Sequence, residues 1–197
     1  MAAELAALRE RDDLHLVAVG VGPVEAALGT SRALAAQPYR AVVNAGIAGG
    51  FRGRCGVGDA VVCVREDFVD LGLEGGGTFP LPDGLELERT VHVPDEMTMA
   101  IRAGEVACIL GRGITSAIVT ATDARAELLA TRYGADVESM EGFAVLRAAE
   151  RAGVPAIEIR GVSNVVGNRE SSGWDFRAGA EAAVATLEAY LDVLLAG

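Results

Sequence analysis

The chain has 197 residues, 51% of them apolar, and a net charge of −11. This length and an Ala-, Val- and Gly-rich composition are typical of one α/β domain with a single core. The acidic balance argues against nucleic acid or an anionic membrane as a partner, because both require clustered lysine and arginine, and no apolar run reaches the roughly 18–20 residues of a membrane-spanning helix.

Apolar periodicity and Gly/Pro punctuation divide the chain into alternating helices and strands. In chain order, the predicted elements are a helix over 2–11, a strand over 14–22, a helix over 23–37, strands over 40–50 and 59–72, one or two strands within 106–123, helices over 124–134 and 136–153, a strand over 154–164 and a final helix over 174–195. Residues 72–97 carry Gly and Pro clusters and predict a long loop with a hairpin. The alternation predicts one α/β domain over 1–197, in which a mostly parallel sheet is covered by helices on its faces. In such a fold, ligands bind at the ends of the strands.

The sequence offers little for a metal centre or a disulfide framework. Its three cysteines, Cys55, Cys63 and Cys108, lack CxxC spacing, and its two histidines are too few for a histidine-rich site. The acidic N-terminus does not read as a secretory signal. We therefore expect no metal, no cofactor and a reducing, cytoplasmic location.

Three stretches near predicted strand ends are candidates for chemistry. The first, NAGIAGG over 44–50, is predicted as the glycine loop in which the strand over 40–50 ends. Its glycines let the backbone approach a ligand, and its N–H groups can face an anion or a hydroxyl. A tight strand-to-helix turn would use the same glycines, so this stretch alone does not define a site.

The second stretch is VESMEGFA, over 137–144. Its glutamates Glu138 and Glu141 are three residues apart, and therefore on one side of the predicted helix near its start. Carboxylates in a first turn also complement the helix dipole, so simple capping is an equal alternative. The position of Glu141 between Met140 and Gly142 favours a buried role that faces a ligand.

The third stretch is EIRGVSNVVG, in which an apolar strand carries four polar residues: Glu158, Arg160, Ser163 and Asn164. An arginine in a strand core is costly unless it is paired or solvated. Arg160 is therefore predicted either to pair with a glutamate, with Glu141 as the candidate, or to face a wet site.

Four segments in this order, VVNAGIAGGF, VGDAVV, VESMEGFA and IRGVSN, resemble the nucleoside phosphorylase and nucleosidase superfamily. The resemblance runs from about Leu14 to the end of the chain. It implies a central mixed sheet flanked by helices, cleavage of the N-ribosidic bond of purine nucleosides, and assembly as dimers or larger rings. Within the superfamily, the SMEG and RGVSNVVGNRE segments are most similar to the futalosine hydrolases, which release hypoxanthine from futalosine in an alternative menaquinone pathway.

The resemblance also implies a role for individual residues. Glu141 matches the glutamate that binds the ribose hydroxyls, and Met140 matches the residue that packs against the sugar. Arg160 matches the arginine near the attacking nucleophile. The remaining substrate-binding positions are the pair at the purine, Ser163 and Asn164, and the glycine-stretch residues Ile47, Ala48 and Gly49.

Asn164 determines which base is predicted to leave. In the adenine-specific nucleosidases this position is an aspartate that protonates N7 of the departing base, whereas an asparagine offers a donor and an acceptor but no such proton. An amide suits a 6-oxopurine, which presents a carbonyl beside N7, so Asn164 favours hypoxanthine over adenine.

The attacking nucleophile is predicted to be water. Bacterial phosphorylases of the superfamily hold phosphate with an arginine and a serine around the glycine stretch, and the matching positions here are Asn44 and Ile47. Isoleucine offers no hydrogen bond, and without the arginine a phosphate dianion is poorly compensated.

Glu4 falls where the superfamily has the glutamate that activates water, so it is the third predicted catalytic residue beside Arg160 and Asn164. Family members begin with a strand before this helix, whereas this chain starts at MAAELAALRER. We therefore expect the first strand of the fold to be missing. The alternative for Glu4 is a solvated helix residue without a catalytic role.

Three alternative functions stay open. Two share the fold: a methylthioadenosine/adenosylhomocysteine-type nucleosidase, which Asn164 disfavours, and a purine nucleoside phosphorylase, which Asn44 and Ile47 disfavour. The third belongs to another class, a nucleoside-binding protein without catalytic activity. The expected partners are a small-molecule nucleoside and further copies of the chain in a homo-oligomer, with no nucleic acid and no membrane.

Overall fold

The computed structural model describes residues 12–73, 80–103, 105–168 and 173–196. Within these ranges, six strands form one sheet and five helices accompany it. In chain order the elements are α1 (Pro23–Ala36), β1 (Val42–Gly50), β2 (Ala60–Phe68), β3 (Thr90–His92), α2 (Asp95–Arg102), β4 (Ile109–Thr115), α3 (Asp123–Tyr133), β5 (Val137–Ser139), α4 (Gly142–Arg151), β6 (Ala156–Val165) and α5 (Phe176–Ala196). The predicted α/β class with a mixed sheet is confirmed, and one domain over the full chain stays a prediction.

Five of the strands are joined in a closed ring of pairings. The order is β2–β4–β5–β1–β6, and the first half of β2 pairs back onto β6, while β3 pairs with the second half of β2. The β1–β6, β2–β4 and β4–β5 pairs are parallel, and the β1–β5 and β2–β6 pairs are antiparallel. Closure gives the ring an inner face, on which alternate side chains of each strand meet.

Strand β6 shows how the two faces of the ring differ. Ile157 and Ile159 belong to the large apolar cluster that also contains residues of α4 and α5, such as Leu146 and Leu187. The alternate residues of β6 face the other way, because successive side chains of a strand point to opposite sides. These alternate residues are Glu158, Arg160 and Val162, and Val162 packs with Ala48, Val61, Cys63 and Val137 inside the ring.

Strand β6 and helix α5 touch through their backbones. A Cβ atom on Gly161 would lie 1.7 Å from the carbonyl oxygen of Gly179, and a Cβ atom on Gly179 would lie 3.0 Å from the carbonyl oxygen of Gly161. Only glycine permits such an approach. The backbone N–H of Asp175 also donates to the Ser163 carbonyl at 2.8 Å, so the start of α5 is fixed against the end of β6.

Two strand predictions were wrong, one in the existence of a strand and one in where a strand ends. Residues 14–20 form no strand; instead the segment packs on helix α1, where a Cβ atom on Gly29 would lie 2.6 Å from the Val19 carbonyl oxygen. Apolar alternation there was not enough, because a strand also needs a neighbour to complete its hydrogen bonds. The glycines of 44–50, predicted as a loop, lie within β1, where pairing with β6 extends to Gly50.

The predicted helix over 136–153 was also wrong at its start. Residues 137–139 form strand β5, which pairs with both β4 and β1, and the helix begins only at Gly142. Ladder hydrogen bonds to two strands outweigh the helical pattern of this segment. The predicted loop over 72–97 contains β3 and the start of α2, and the predicted helix over 2–11 lies outside the described residues.

Among the described helices, none combines the length and the apolar character that crossing a bilayer requires. The longest is α5, which packs on β6, β1 and β2 through buried residues that include Leu187, Tyr190 and Leu191. The apolar side of α5 is therefore buried against the sheet.

Gly161→Ala is expected to destabilise the fold severely, because the new methyl group meets backbone atoms that cannot rotate away. Overpacking of this kind costs typically 1–3 kcal/mol, and we expect a loss of at least about 3 kcal/mol here. Urea denaturation measures this change. Gly173→Ala is the matched control, since a Cβ atom there meets nothing within 4 Å, and it should change stability by less than about 0.5 kcal/mol. Equal losses in both variants would contradict the backbone contact.

Candidate functional site

The parallel pairing of β1 with β6 brings two of the candidate stretches together. Gly46 pairs with Arg160, and after a bulge Gly49 pairs with Asn164. The single hydroxyl hydrogen of Ser163 has two acceptors within reach, the Ala48 carbonyl at 3.2 Å and, closer, Oδ1 of Asn164 at 2.9 Å. These polar side chains are therefore fixed on the glycine stretch at the end of the parallel strands.

Asn164 is buried and lies directly on the backbone of Gly49. A Cβ atom on Gly49 would be 3.1 Å from Nδ2 of Asn164 and 2.8 Å from a methyl group of Val166. Nδ2 donates to the Val165 carbonyl at 3.3 Å. Since an amide nitrogen carries two hydrogens, this contact leaves one N–H of Asn164 available to another acceptor.

Arg160 is the buried cation of the site. Its Nε donates to Oε1 of Glu158 at 2.5 Å, its Nη1 donates to the Ile47 carbonyl at 3.2 Å, and Nη1 lies 3.6 Å from Oε2 of Glu141. Burial opposes the charged form, but the carboxylates of Glu158 and Glu141 outweigh it, so the pKa of Arg160 is raised above its usual value. The predicted pair with Glu141 is present, and Glu158 is a second, closer partner.

Glu141 stands at the position that caps helix α4 and is held from two directions. Its Oε1 accepts a hydrogen bond from the backbone N–H of Gly22 at 3.0 Å, while Oε2 faces Arg160. Gly22 immediately precedes helix α1 and has a φ of 85°, a left-handed conformation that favours glycine. The side chain of Glu141 is 18% exposed and that of Arg160 only 4%, so Glu141 marks the solvent side of this network. Its neighbour Met140 is half-buried.

Sequence reasoning missed Glu158 as the main partner of Arg160. The signal was present in the spacing, because residues two apart on a strand share a face. Glu158 is fully buried, and its Oε1 also lies 3.4 Å from Nδ2 of Asn44 and 3.4 Å from Oγ of Ser139, both of which donate to it. Asn44 therefore supports the buried carboxylate.

Glu66 on β2 is a second buried glutamate that the sequence did not indicate. The Thr115 hydroxyl donates to its Oε2 at 2.8 Å. A Cβ atom on Gly113 would lie 1.5 Å from its Oε1, so a glycine at 113 makes room for this side chain. Burial, and then the nearby Glu158 carboxylate, raise the pKa of Glu66 well above its usual value.

Among the described residues, one group has donor atoms close enough to surround a metal ion: Cys63, Glu66 and Glu158. All three side chains are buried. The guanidinium of Arg160 already lies against Glu158 and supplies the positive charge that the carboxylates require. The arrangement therefore fits an internal ion pair better than a metal centre.

The sequence predicted that Glu138 and Glu141 share one side of a helix. This prediction was wrong, because Glu138 lies on strand β5. Its two oxygens accept hydrogen bonds from the backbone N–H and the hydroxyl of Thr120, at 2.9 and 2.5 Å. Burial raises the pKa of Glu138 above its usual value. Arg125 donates to the Thr120 hydroxyl at 3.3 Å and pairs with Asp70 at 3.0 Å. This second polar cluster fixes the segment between β4 and α3.

The predicted site residues thus fall into two groups. Those that the structure brings together lie on β1, on β6 and just before α4: Ile47, Ala48, Gly49, Met140, Glu141, Arg160, Ser163 and Asn164. The remaining one, Glu4, lies outside the described residues.

Comparison with known proteins identifies the family of this chain. The family model described as the phosphorylase superfamily matches residues 7–196. The chain belongs to the phosphorylase superfamily. Among curated members, futalosine hydrolase of Streptomyces coelicolor is 41% identical over 83% of this chain and 72% of its own length. Futalosine hydrolase of Acidothermus cellulolyticus is 40% identical over 85% of this chain and 71% of its own length.

A solved member of the superfamily shares the fold. The structure of futalosine hydrolase from Helicobacter pylori superposes with a TM-score of 0.75 and covers 89% of this chain and 77% of that one. Its sequence identity is 17%, so this similarity concerns the fold alone.

Arg160→Met is expected to destabilise the protein by about 3–5 kcal/mol, because it leaves buried carboxylates without a counter-charge. Urea denaturation measures the loss, and adding Glu158→Gln to the same chain should recover part of it. Arg147→Met is the control, because the side chains of Arg147 and Glu150 on α4 are 28% and 50% exposed. Their ion pair should contribute less than about 1 kcal/mol to the free energy of unfolding. Similar losses in Arg160→Met and Arg147→Met would refute the buried pairing.

Proposed function

We propose that this protein hydrolyses the N-ribosidic bond of futalosine and releases hypoxanthine and dehypoxanthine futalosine, a step of menaquinone biosynthesis. The observation that carries the proposal is Asn164, a buried amide with a spare N–H at the place where the superfamily binds the purine. The identity of 40–41% to two futalosine hydrolases over most of the chain supports the same substrate.

The sugar side of the site suits bond cleavage through a ribosyl cation. Glycoside hydrolysis passes through an oxocarbenium-like transition state, which nearby carboxylates stabilise. Among the described residues, Oε2 of Glu141 has no hydrogen-bond donor closer than Nη1 of Arg160 at 3.6 Å, so it can accept hydrogen bonds from ribose hydroxyls. In this proposal Met140 packs against the sugar and Arg160 positions the attacking water.

The base side of the site suits a 6-oxopurine. The Ser163 hydroxyl lies within hydrogen-bond distance of Oδ1 of Asn164 and orients the amide, and Nδ2 keeps one N–H beyond the one it donates to the Val165 carbonyl. Hypoxanthine presents two acceptors on this edge, O6 and N7, and negative charge grows there as the bond breaks. Adenine presents a donor in place of O6, so the same N–H would serve it less well.

The charge balance favours water over phosphate as the nucleophile. Arg160 is already matched by the carboxylates of Glu158 and Glu141, and Asn44 donates to Glu158. A phosphate dianion entering beside Arg160 would meet net negative charge in a buried place. Glu4 remains our candidate for the base that activates water.

Assembly and location are further parts of the proposal. Val21, Val24 and Leu28 are 76%, 69% and 56% exposed and share one side of the α1 region, which supports burial of this side in a homo-oligomer of two or more copies. Sedimentation velocity measures that state. The three cysteines carry free thiols, which supports a reducing cytoplasm.

Incubation of the purified protein with futalosine is expected to release hypoxanthine at a rate that added phosphate does not change. Chromatography of the products measures this. Methylthioadenosine and inosine serve as comparison substrates. Adenine release from methylthioadenosine without turnover of futalosine would favour the other nucleosidase function, and inosine cleavage that rises with phosphate would favour a phosphorylase. Thermal stabilisation by hypoxanthine without any turnover would indicate a binding protein.

Asn164→Asp is expected to shift substrate preference from 6-oxo towards 6-amino nucleosides. A carboxylate offers only acceptors to the O6 carbonyl but accepts from an exocyclic amine. One such mismatch in a buried site costs about 1–3 kcal/mol, so the ratio of kcat/KM for futalosine and its 6-amino analogue should change by roughly ten- to a hundredfold. Paired kinetics on the two substrates measure the ratio, and an unchanged ratio would mean that Asn164 does not face the base.

A further inference from the structure

We propose that Glu66 and Glu158 hold one proton between them and that this buried acid pair positions Arg160 and Glu141 for the reaction. The inference rests on the proposed hydrolase activity for its kinetic part only. The resemblance gives neither glutamate a role, and the proposed mechanism uses Glu158 only as a counter-charge to Arg160.

The two glutamates lie close together and each has an oxygen without a partner. Glu66 and Glu158 are both 0% exposed. Oε1 of Glu66 and Oε2 of Glu158 have no hydrogen-bond partner among the described groups. One oxygen of each glutamate and the Sγ of Cys63 all lie within 4.8 Å of one another. Two ionised carboxylates this close in a dry interior would repel each other strongly, whereas one shared proton removes a charge and gives both carboxyl groups a partner.

The contacts of the two glutamates identify which one holds the proton. Glu158 contacts the guanidinium of Arg160 at 2.5 Å, which stabilises its anion. Glu66 contacts neutral groups instead, among them the Thr115 hydroxyl, which donates to Oε2. Burial, followed by the Glu158 charge, raises the pKa of Glu66. Glu66 is therefore the carboxylic acid, and Glu158 is the carboxylate that accepts its proton in a hydrogen bond.

The remaining groups around Glu66 do not change this assignment. Cys63, on the same strand, has a thiol pKa raised by burial and then by the two glutamates, so it is a neutral thiol. The positive charge of Arg160 reaches Glu66 from β6 and lowers the pKa of Glu66, but burial and the Glu158 charge raise that pKa by more. Arg160 lies closer to Glu158 than to Glu141, which keeps the anion on Glu158.

The acid pair also supports the turn that carries Glu141. The Ser139 hydroxyl donates to Glu158 and accepts from the N–H of Gly142 at 3.2 Å. The Thr115 hydroxyl donates to Glu66 and accepts from the N–H of Phe143 at 2.7 Å. The first N–H groups of a helix have no partner within the helix. Each glutamate thus orients one hydroxyl that binds the first turn of α4, directly after Glu141.

Kinetics distinguish this positioning role from simple packing. Glu66→Leu removes the proton and the acceptor, and we expect kcat/KM on futalosine to fall by at least about tenfold. Glu66→Gln keeps a neutral donor of the same shape and should restore kcat/KM to within about threefold of the parent protein. Glu158→Gln should lower kcat/KM by at least about tenfold, because Arg160 loses its nearest anion. Asp67→Asn is the control, since Asp67 is buried on the same strand but contacts Arg65 and Thr90.

The pH dependence of the activity distinguishes a shared proton from simple packing. When pH rises through the raised pKa of Glu66, the acid ionises beside Glu158, so activity should fall on the alkaline side. Glu66→Gln has no proton to lose there and should lack this fall, while Asp67→Asn should keep it. An alkaline fall that is the same in Glu66→Gln and the parent protein would overturn the shared proton.

Stability tests the same proton without any substrate. Unfolded Glu66 ionises near 4.5, whereas the folded protein keeps it neutral. Folding therefore takes up a proton above that pH, and this contribution to stability decreases as pH rises. The Tm of Glu66→Gln relative to the parent protein should consequently increase with pH. A constant difference would overturn the acid pair even if futalosine proves not to be the substrate. If Glu66→Gln does not fold, the infrared carbonyl band of a buried neutral carboxyl in the parent protein decides, and its absence would overturn the proposal.

Discussion

The site depends on the burial of one positive charge. Arg160 enters the ring of strands on β6, and a buried guanidinium is tolerated only when anions and acceptors surround it. Glu158, Glu141 and the Ile47 carbonyl provide them. Glycines make the space: a Cβ atom on Gly46 would lie 2.5 Å from Nη1 of Arg160, and one on Gly142 would lie 2.3 Å from Glu158. The glycine-rich segments therefore accommodate charged side chains.

The fold brings separate parts of the chain to this charge. Strand β1 contributes the glycine stretch, β6 contributes the polar residues, and the turn before α4 contributes Glu141. Helix α1 adds the Gly22 N–H, which holds the second oxygen of Glu141. Because Glu141 is fixed by α1 and β6 together, small changes in the packing of either element would move the group proposed to bind the ribose.

The fold alone does not determine the substrate. One fold can host many functions, because function depends on the side chains that a site carries. The proposed specificity instead depends on how Asn164 is oriented by Ser163 and Gly49. The reaction type depends on how completely the carboxylates compensate Arg160, since a spare positive charge would favour an anionic nucleophile.

The sequence by itself determined the superfamily, the α/β class and most helices. It also identified the glycine stretch, Glu141, Arg160 and Asn164 as candidate site residues. Short-range patterns and motifs encode these features. Helix α3 shows this well, since Gly134 ends it with a φ of 61°. Only the tertiary structure decided that 137–139 is a strand and that Glu66 lies beside Glu158. These features depend on strand pairings between distant residues, whose ladder hydrogen bonds and shared burial leave no local signal.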